Sequence, residues 1–358
     1  MDPNLLIDVQ NLRVSFRTDE GIITPVEHVN YRIKREKTLG IVGESGSGKS
    51  VSTRALIKLL PKNAIVDPES KILFNRGNGT EPLDINLLPA GSKEIRKLRG
   101  GEIAMIFQEP MASFSPVYTI GNQIMEAVRT HRLSSNSPLA ATSTVGTHIS
   151  ESLKAKYNNV SKKEARSIAV DMLRRVGIAN ADLRVDQYPH ELSGGMRQRA
   201  MIAVALSTHP SILIADEPTT ALDVTIQAQI LELMKELQTE LGMSIIFITH
   251  DMGVIAQVAD EIAVMYLGTI VERGPKEAVI NDPLHPYTKG ILRAIPKLNN
   301  LGARLEAVGG DIPGPHERPT GCPFHPRCPQ RITKTCDKLH PERIEKTPEH
   351  FVRCFLHL

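Results

Sequence analysis

Two stretches near the start of the chain alternate apolar and polar positions. Leu5 to Phe16 (LLIDVQNLRVSF) and Val26 to Ile33 (VEHVNYRI) carry the period-two pattern of β-strands, joined by a Gly-containing turn at Asp19-Glu20-Gly21. Further on come short apolar runs with the pattern of buried strands: Thr38 to Val42 (TLGIV), Glu102 to Phe107 (EIAMIF), Ser211 to Ala215 (SILIA) and Ser244 to Thr249 (SIIFIT). Helix-like segments lie between them, at Val51 to Leu60, Ser92 to Leu98, Met196 to Ser207 and Val224 to Leu241. Ser161 to Val176 is an amphipathic helix with Ser161 as N-cap, Glu164 completing a capping box and Gly177 closing the end. Ile262 to Met265 and Thr269 to Glu272 read as an edge hairpin turning at Gly268. Lys62 to Gly100 is otherwise short strands and loops, and Met111 to Ile178 is helical around a polar interruption. That interruption, Arg132 to Asn159, is rich in Ser, Thr, Asn and Ala and reads as a flexible insertion. Strands alternating with helices predict an α/β fold.

Candidate chemistry collects at strand ends. After the Thr38 to Val42 run comes Gly43-Glu44-Ser45-Gly46-Ser47-Gly48-Lys49-Ser50, and then a helix. Strand, Gly-rich loop and helix together turn the pattern G-x-x-x-x-G-K-[ST] into a phosphate site. The loop amides and the helix N-terminus face the anion, Lys49 reaches the β- and γ-phosphates, and the Ser50 hydroxyl ligates Mg²⁺. Gln108 leaves the Glu102 to Phe107 strand, where its amide could reach a metal or an attacking water. Ser193-Gly194-Gly195 opens a second helix with an anion-binding start, although Ser193 could equally be a plain N-cap. Two such starts suggest two halves of one nucleotide site, contributed by different subunits.

Asp216 and Glu217 end the Ser211 to Ala215 strand, and two adjacent carboxylates there are costly unless compensated. A Mg²⁺–phosphate complex compensates them: Asp216 holds the metal and Glu217 polarises the water that attacks the γ-phosphate. His250, at the end of the last buried strand, could hydrogen-bond a γ-phosphate oxygen. Phe16 is either an ordinary core aromatic or a platform for adenine.

Composition narrows the class. The 358 residues are 41% hydrophobic and 23% charged, as in a soluble globular protein, with room for one large or two smaller domains. A formal charge of +3 is too weak to imply a nucleic-acid or lipid surface. Met1 to Gln10 lacks a secretory signal pattern, and no apolar stretch approaches the ~18 residues of a spanning helix. A cytosolic location is expected. All four cysteines lie in the tail: Cys322, Cys328, Cys336 and Cys354, spaced C-x5-C-x7-C-x17-C. They are too few and too clustered for a secreted disulfide scaffold. Four thiolates suit Zn²⁺ or an iron–sulfur cluster, the absence of C-x2-C pairs weakens zinc, and reduced unligated thiols remain open.

In this order and spacing the motifs resemble those of the ATP-binding subunits of ABC transporters over nearly the whole chain. They are GESGSGKS (Gly43 to Ser50, Walker A), Gln108 (Q-loop), LSGGM (Leu192 to Met196, signature), ILIADEP (Ile212 to Pro218, Walker B), ALD (Ala221 to Asp223, D-loop) and His250 (H-loop). The resemblance implies a P-loop NTPase (RecA-like) core with an antiparallel β subdomain and a helical ABC subdomain, plus a small Cys-containing C-terminal region. It sets an ATPase domain at 1–280, the helical subdomain at about 109–207, and the C-terminal region at 281–358. It also implies a dimer in which Lys49, Ser50, Asp216 and Glu217 of one subunit close on ATP against Ser193, Gly194 and Gly195 of the partner, with Asp223 at the same interface and Phe16 under adenine.

Within that family the chain looks like the oligopeptide/dipeptide importer branch. The stretches are MIFQEPMASFSPVYTIGNQI (Met105 to Ile124), LSGGMRQR (Leu192 to Arg199), THDMGVIAQVADEIAVMYLGTIVE (Thr249 to Glu272), HPYTKGILRAIP (His285 to Pro296) and GCPFHPRCP (Gly321 to Pro329). That likeness implies a paralogous ATPase as heterodimer partner, two membrane permease subunits, an extracytoplasmic binding protein, and a peripheral place on the cytoplasmic face of the membrane. It favours a [4Fe–4S] cluster on the four cysteines. Three features depart from the pattern: Arg35-Glu36-Lys37 where a Gly is usual, Glu109 where Asp is usual, and the 132–159 insertion. Two rival readings stay open. One is a different cargo (nickel, a glycoside or a murein peptide), and the other is a soluble ABC-type ATPase acting on nucleic acid or ribosomes. The single motif set, the lack of heptads and the lack of a basic patch disfavour the latter.

Overall fold

The computed structural model describes residues 2–77, 79, 81–109, 113–131, 161–220, 222–295 and 308–358. Its first elements are β1 (Leu5–Thr18), β2 (Gly21–Lys34), β3 (Thr38–Val42), α1 (Lys49–Leu56), β4 (Ala64–Val66), β5 (Lys71–Phe74) and β6 (Leu83–Asp84). Next come α2 (Lys93–Lys97), β7 (Ile103–Ile106), α3 (Ile120–His131), α4 (Lys162–Arg175), α5 (Ala181–Arg184), α6 (Gly194–Leu206), β8 (Ile212–Asp216) and α7 (Val224–Leu241). The last are β9 (Ser244–Thr249), α8 (Met252–Val258), β10 (Glu261–Tyr266), β11 (Thr269–Pro275), α9 (Lys276–Asn281), α10 (Pro286–Arg293), β12 (Ile344–Thr347) and β13 (His350–Val352). Two compact units emerge, one of residues 1–87 with 246–358 and one of residues 88–245. The insertion expected at 132–159 lies outside the described residues, as does Ala221. No described helix is long and apolar enough to cross a membrane.

The first unit opens with an antiparallel sheet in the order β2-β1-β5-β6, with β4 also against β1. The alternation does what it predicts: Leu12, Val14, Val26, Val29, Tyr31 and Ile33 are buried. Glu36, in the turn to β3, takes a left-handed φ of 57°. That conformation explains why glycine is the easier residue in this turn. β3 is buried at every position and pairs in parallel with β10. α1 ends at Leu56, short of the expected Leu60. Lys58 turns left-handed at φ 50°, and Pro61 disfavours helical geometry at Leu60.

The β10–β11 hairpin turns at Leu267 and Gly268, both with positive φ as a tight hairpin turn requires. It is not the sheet edge, which corrects the expectation from sequence. β13 pairs with β11, and β12 lies outermost. These two strands have four and three residues, mostly exposed in β12, so no alternation announces them. Glu272, with a side chain 0% exposed, ties this region together. Its carboxylate accepts the backbone N–H groups of Leu284 and His285 at 2.8 Å each and faces His350 Nε2 at 2.9 Å. His285 caps α10 by accepting the Tyr287 N–H at 3.0 Å, and burial lowers its pKa to about 4, so it stays neutral.

In the second unit β7 and β8 pair in parallel, from Ile103 against Ile212 to Ile106 against Ala215. Ser244 N–H donates to Ser211 O at 2.9 Å, at the start of β9. Ser161 caps α4 by accepting from Glu164 N at 3.2 Å, and Gly177 ends the helix at φ 73°. α7 matches the expected Val224 to Leu241, and Asp223 caps it.

Candidate functional site

The loop from Gly43 to Ser50 leaves the end of β3 and enters α1 through Gly48, its N-cap, at φ 94°. Only glycine fits there: a Cβ on Gly48 would stand 2.1 Å from Pro25 O. Ser45 and Gly46 form the exposed tip of the loop. Ser47 is buried, its N–H donates to Glu44 O at 3.2 Å, and its own carbonyl accepts from Gly268 N at 2.9 Å. Lys49 is only 5% exposed, and its ammonium donates to Gly43 O at 2.8 Å and Glu44 O at 3.0 Å. The first turn of α1 carries no acidic residue, so its dipole is not compensated from within the helix. A cation folded back onto its own loop, ahead of an uncompensated helix start, is an arrangement that can receive an anion.

Asp216 is the last residue of β8 and is 1% exposed, and Glu217 follows it half-buried. Glu217 holds φ at 48°, a left-handed geometry that costs a residue with a Cβ about 1 kcal/mol or more and points to a functional constraint. Its Oε2 accepts from Gln108 Nε2 at 2.9 Å and from Thr220 Oγ1 at 3.0 Å. Gln108 and Glu217, separated by 109 positions, therefore meet in the fold, a contact the sequence reading did not state. Thr220 was not among the expected site residues.

At the start of α6, Ser193 Oγ accepts from Met196 N at 3.4 Å, so it is an N-cap as well as a candidate ligand. Ser193 and Gly194 are exposed. Among the described residues, a Cβ on Gly194 would meet nothing within 4 Å, and its φ is not positive. Asp223 Oδ1 accepts from Ile226 N at 2.9 Å as the cap of α7. His250 stands exposed just past β9. Phe16 is half-buried near the end of β1, opposite Ile23 and Ala64, which leaves part of its ring accessible.

The four cysteines carry no disulfide. Burial pushes the Cys322 thiol up to about 12, against a lowering hydrogen bond from the Phe324 backbone. Cys328 and Cys354 are also raised, chiefly by burial. Among the described residues no three His, Cys, Asp or Glu side chains are placed to share an ion.

A further set of contacts went unforeseen in the sequence. Arg327 forks onto the Glu44 carboxylate, Nη1 to Oε2 at 2.7 Å and Nη2 to Oε1 at 3.1 Å. The two residues are 283 positions apart, so no local pattern reports the pairing.

A model described as ABC transporter matches residues 26–220, and one described as oligopeptide/dipeptide transporter, C-terminal region, matches residues 271–336. The dipeptide transport ATP-binding protein DppD of Bacillus subtilis is 43% identical over 351 residues, covering 98% of this chain and 94% of that protein. A putative peptide import ATP-binding protein of Brucella melitensis is 44% identical over 356 residues, covering 98% and 96%. Among solved structures, cbiO1 from Clostridium perfringens, part of the ABC transporter complex cbiONQ, aligns with a TM-score of 0.58 at 25% identity, covering 78% of this chain and 92% of that one. A dimeric post-hydrolysis state of the ATP-binding cassette MJ0796 bound to ADP and Pi aligns with a TM-score of 0.57 at 25% identity, covering 76% and 99%. A Gly-rich loop ahead of a helix, adjacent carboxylates at a strand end and these likenesses converge: the chain belongs to the ABC transporter family and is one of its ATPases.

Proposed function

We propose that this chain is the ATPase subunit of an importer of di- or oligopeptides, working on the cytoplasmic face of the membrane beneath two permease subunits. The contact between Gln108 and Glu217 at 2.9 Å supports the mechanism most directly, because it joins the exposed loop after β7 to the catalytic base. Peptide as the cargo follows from the near-full-length similarity to proteins named for dipeptide and peptide import. A paralogous ATPase as the other half of a heterodimer, and an extracytoplasmic binding protein, belong to the same reading. So does a division into an ATPase domain at 1–280, with its helical subdomain at about 109–207, and a C-terminal region at 281–358.

Lys49 and the amides of residues 44–50 hold the β- and γ-phosphates of ATP. Ser50, Asp216 and Gln108 offer hydroxyl, carboxylate and amide oxygens, a hard donor set that fits Mg²⁺. Bound there, the ion supplies charge neutralisation on the phosphates. Glu217, oriented by Gln108 and Thr220, takes a proton from the attacking water, and His250 steadies the γ-phosphate. Phe16 stacks on adenine. Ser193, Gly194 and Gly195 cap the nucleotide of the opposite subunit, with Asp223 beside them. The open space around Gly194 supports this by leaving room for a group from the opposite subunit. In proteoliposomes holding the full complex, peptide-loaded binding protein should raise hydrolysis at least about tenfold, by about 1.4 kcal/mol of barrier. Stimulation by nickel or a glycoside instead would reassign the cargo.

Cys322, Cys328, Cys336 and Cys354 would hold a [4Fe–4S] cluster as a structural staple. Four cysteine sulfurs are a soft donor set of the kind that takes such a cluster, and among the described residues they are not placed to share an ion. The raised thiols would give up their protons on ligation. An anaerobic preparation should carry iron and acid-labile sulfide, while zinc without iron, or neither, would displace the cluster.

A further inference from the structure

The C-terminal tail reaches the phosphate loop through one short turn. Cys322 to Cys328 (CPFHPRC) is folded by successive backbone bonds: His325 N to Cys322 O at 3.0 Å, Arg327 N to Phe324 O at 3.1 Å and Cys328 N to His325 O at 3.3 Å. Cys322 N also donates to Cys336 O at 2.8 Å, anchoring the turn to the rest of the tail. From this turn Phe324 packs edge-on against Tyr266, with ring centroids 5.2 Å apart, and tilted against Tyr287 at 5.4 Å. Phe324, Tyr266 and Tyr287 are each no more than 1% exposed.

Arg327 extends from the same turn with its side chain 4% exposed, and its donors are heavily used. Nε donates to Gly309 O at 3.0 Å, Nη2 to Val308 O at 3.2 Å and to Glu44 Oε1 at 3.1 Å. Nη1 donates to Glu44 Oε2 at 2.7 Å and to the Tyr266 hydroxyl at 3.4 Å, with the guanidinium 5.7 Å from the Tyr266 ring centre. The Tyr287 hydroxyl takes the Glu44 backbone N–H at 3.1 Å. Glu44 is therefore fixed at its carboxylate and at its amide by residues that follow the ATPase core. Its carbonyl, in turn, is one of the two that hold the Lys49 ammonium.

We propose that Arg327 is a positioning residue for ATP binding: through Glu44, and together with Tyr287, it holds the phosphate loop in its nucleotide-receiving shape. A bidentate guanidinium–carboxylate pair is geometrically demanding, and with the Arg327 side chain 4% and the Glu44 side chain 29% exposed this one is part-buried, so it holds a loop conformation more firmly than a fully exposed pair would. Holding the loop in advance removes an ordering cost that binding would otherwise meet. The proposal rests on the reading of Gly43 to Ser50 as the phosphate loop.

The test is ATP–Mg²⁺ affinity of the full-length chain, followed with a fluorescent ATP analogue, alongside KM and kcat of the assembled transporter. Arg327→Ala should raise Kd and KM on the order of tenfold with kcat changed less than about twofold, the pattern of lost uniform binding. Arg327→Lys should recover only part of the affinity, because an ammonium keeps the charge but not the fork. Tyr287→Phe, which loses one hydroxyl and no ring, should raise Kd about threefold and guards against a misfolded Arg327 variant. A lower melting temperature with Kd unchanged in both Arg327→Ala and Tyr287→Phe would reduce the contact to a structural brace and overturn the proposal. Lys49→Ala separates the two levels: if it too leaves affinity unchanged, the phosphate-loop reading itself has failed, and if it alone weakens binding, only the positioning role has.

Discussion

Glu217→Gln should stop ATP turnover while leaving ATP binding intact. Glutamine keeps the shape of the side chain and an acceptor oxygen for the Gln108 amide and the Thr220 hydroxyl, which stand at 2.9 and 3.0 Å. It loses the negative charge that draws a proton from water. A general base contributes roughly 10²–10⁴ in rate, so phosphate release from the assembled transporter should fall by about that factor. In the proposed dimer, ATP that is bound but not cleaved would keep the subunits closed, and the variant should accumulate as a nucleotide-trapped dimer. Hydrolysis within about tenfold of the unmodified protein would move the base elsewhere.

The second large effect is expected at the loop. Lys49→Ala truncates a residue that is 5% exposed and whose ammonium is held by the Gly43 and Glu44 carbonyls of the loop. Hydrogen bonds to charged groups contribute roughly 1.5–3 kcal/mol, equivalent to about a tenfold to hundredfold loss of ATP affinity. Equilibrium binding measured on the full-length chain checks this, and an unchanged Kd would contradict the phosphate role of Lys49.

Much of the architecture is legible from hydrophobic pattern because burial and pattern agree. β3, β9 and α7 match the expected Thr38 to Val42, Ser244 to Thr249 and Val224 to Leu241 at both ends. Each strand is buried throughout, and α7 has an Asp223 cap and a Gly242 stop at φ 61°. Pattern fails where geometry depends on a single residue or a distant partner. α1 stops four residues short of Leu60 because Lys58 and Pro61 act against a sequence that is otherwise helix-compatible. The hairpin taken for an edge is covered by β12 and β13, whose few residues carry too little periodicity to register.

The site divides in the same way. The loop, the carboxylate pair and the Ser-Gly-Gly helix start are local strings with local physics, so their residue types point to phosphate chemistry directly. The strained φ of Glu217, the Thr220 contact and the Arg327 fork onto Glu44 exist only once the chain has folded. Glu36 shows the intermediate case. Its departure from the usual glycine is visible in the sequence, but the reason, a left-handed φ of 57°, is visible only in the fold.

The central claim is that ATP is held between this chain's phosphate loop and the Ser-Gly-Gly turn of a second ATPase subunit. Cryo-electron microscopy of the assembled Glu217→Gln transporter with ATP and Mg²⁺ tests it most directly. The account predicts triphosphate density touching Lys49 and Ser50 on one side and a partner's Ser-Gly-Gly helix start on the other. Nucleotide bound within a single subunit, or away from Gly43 to Ser50, would contradict it.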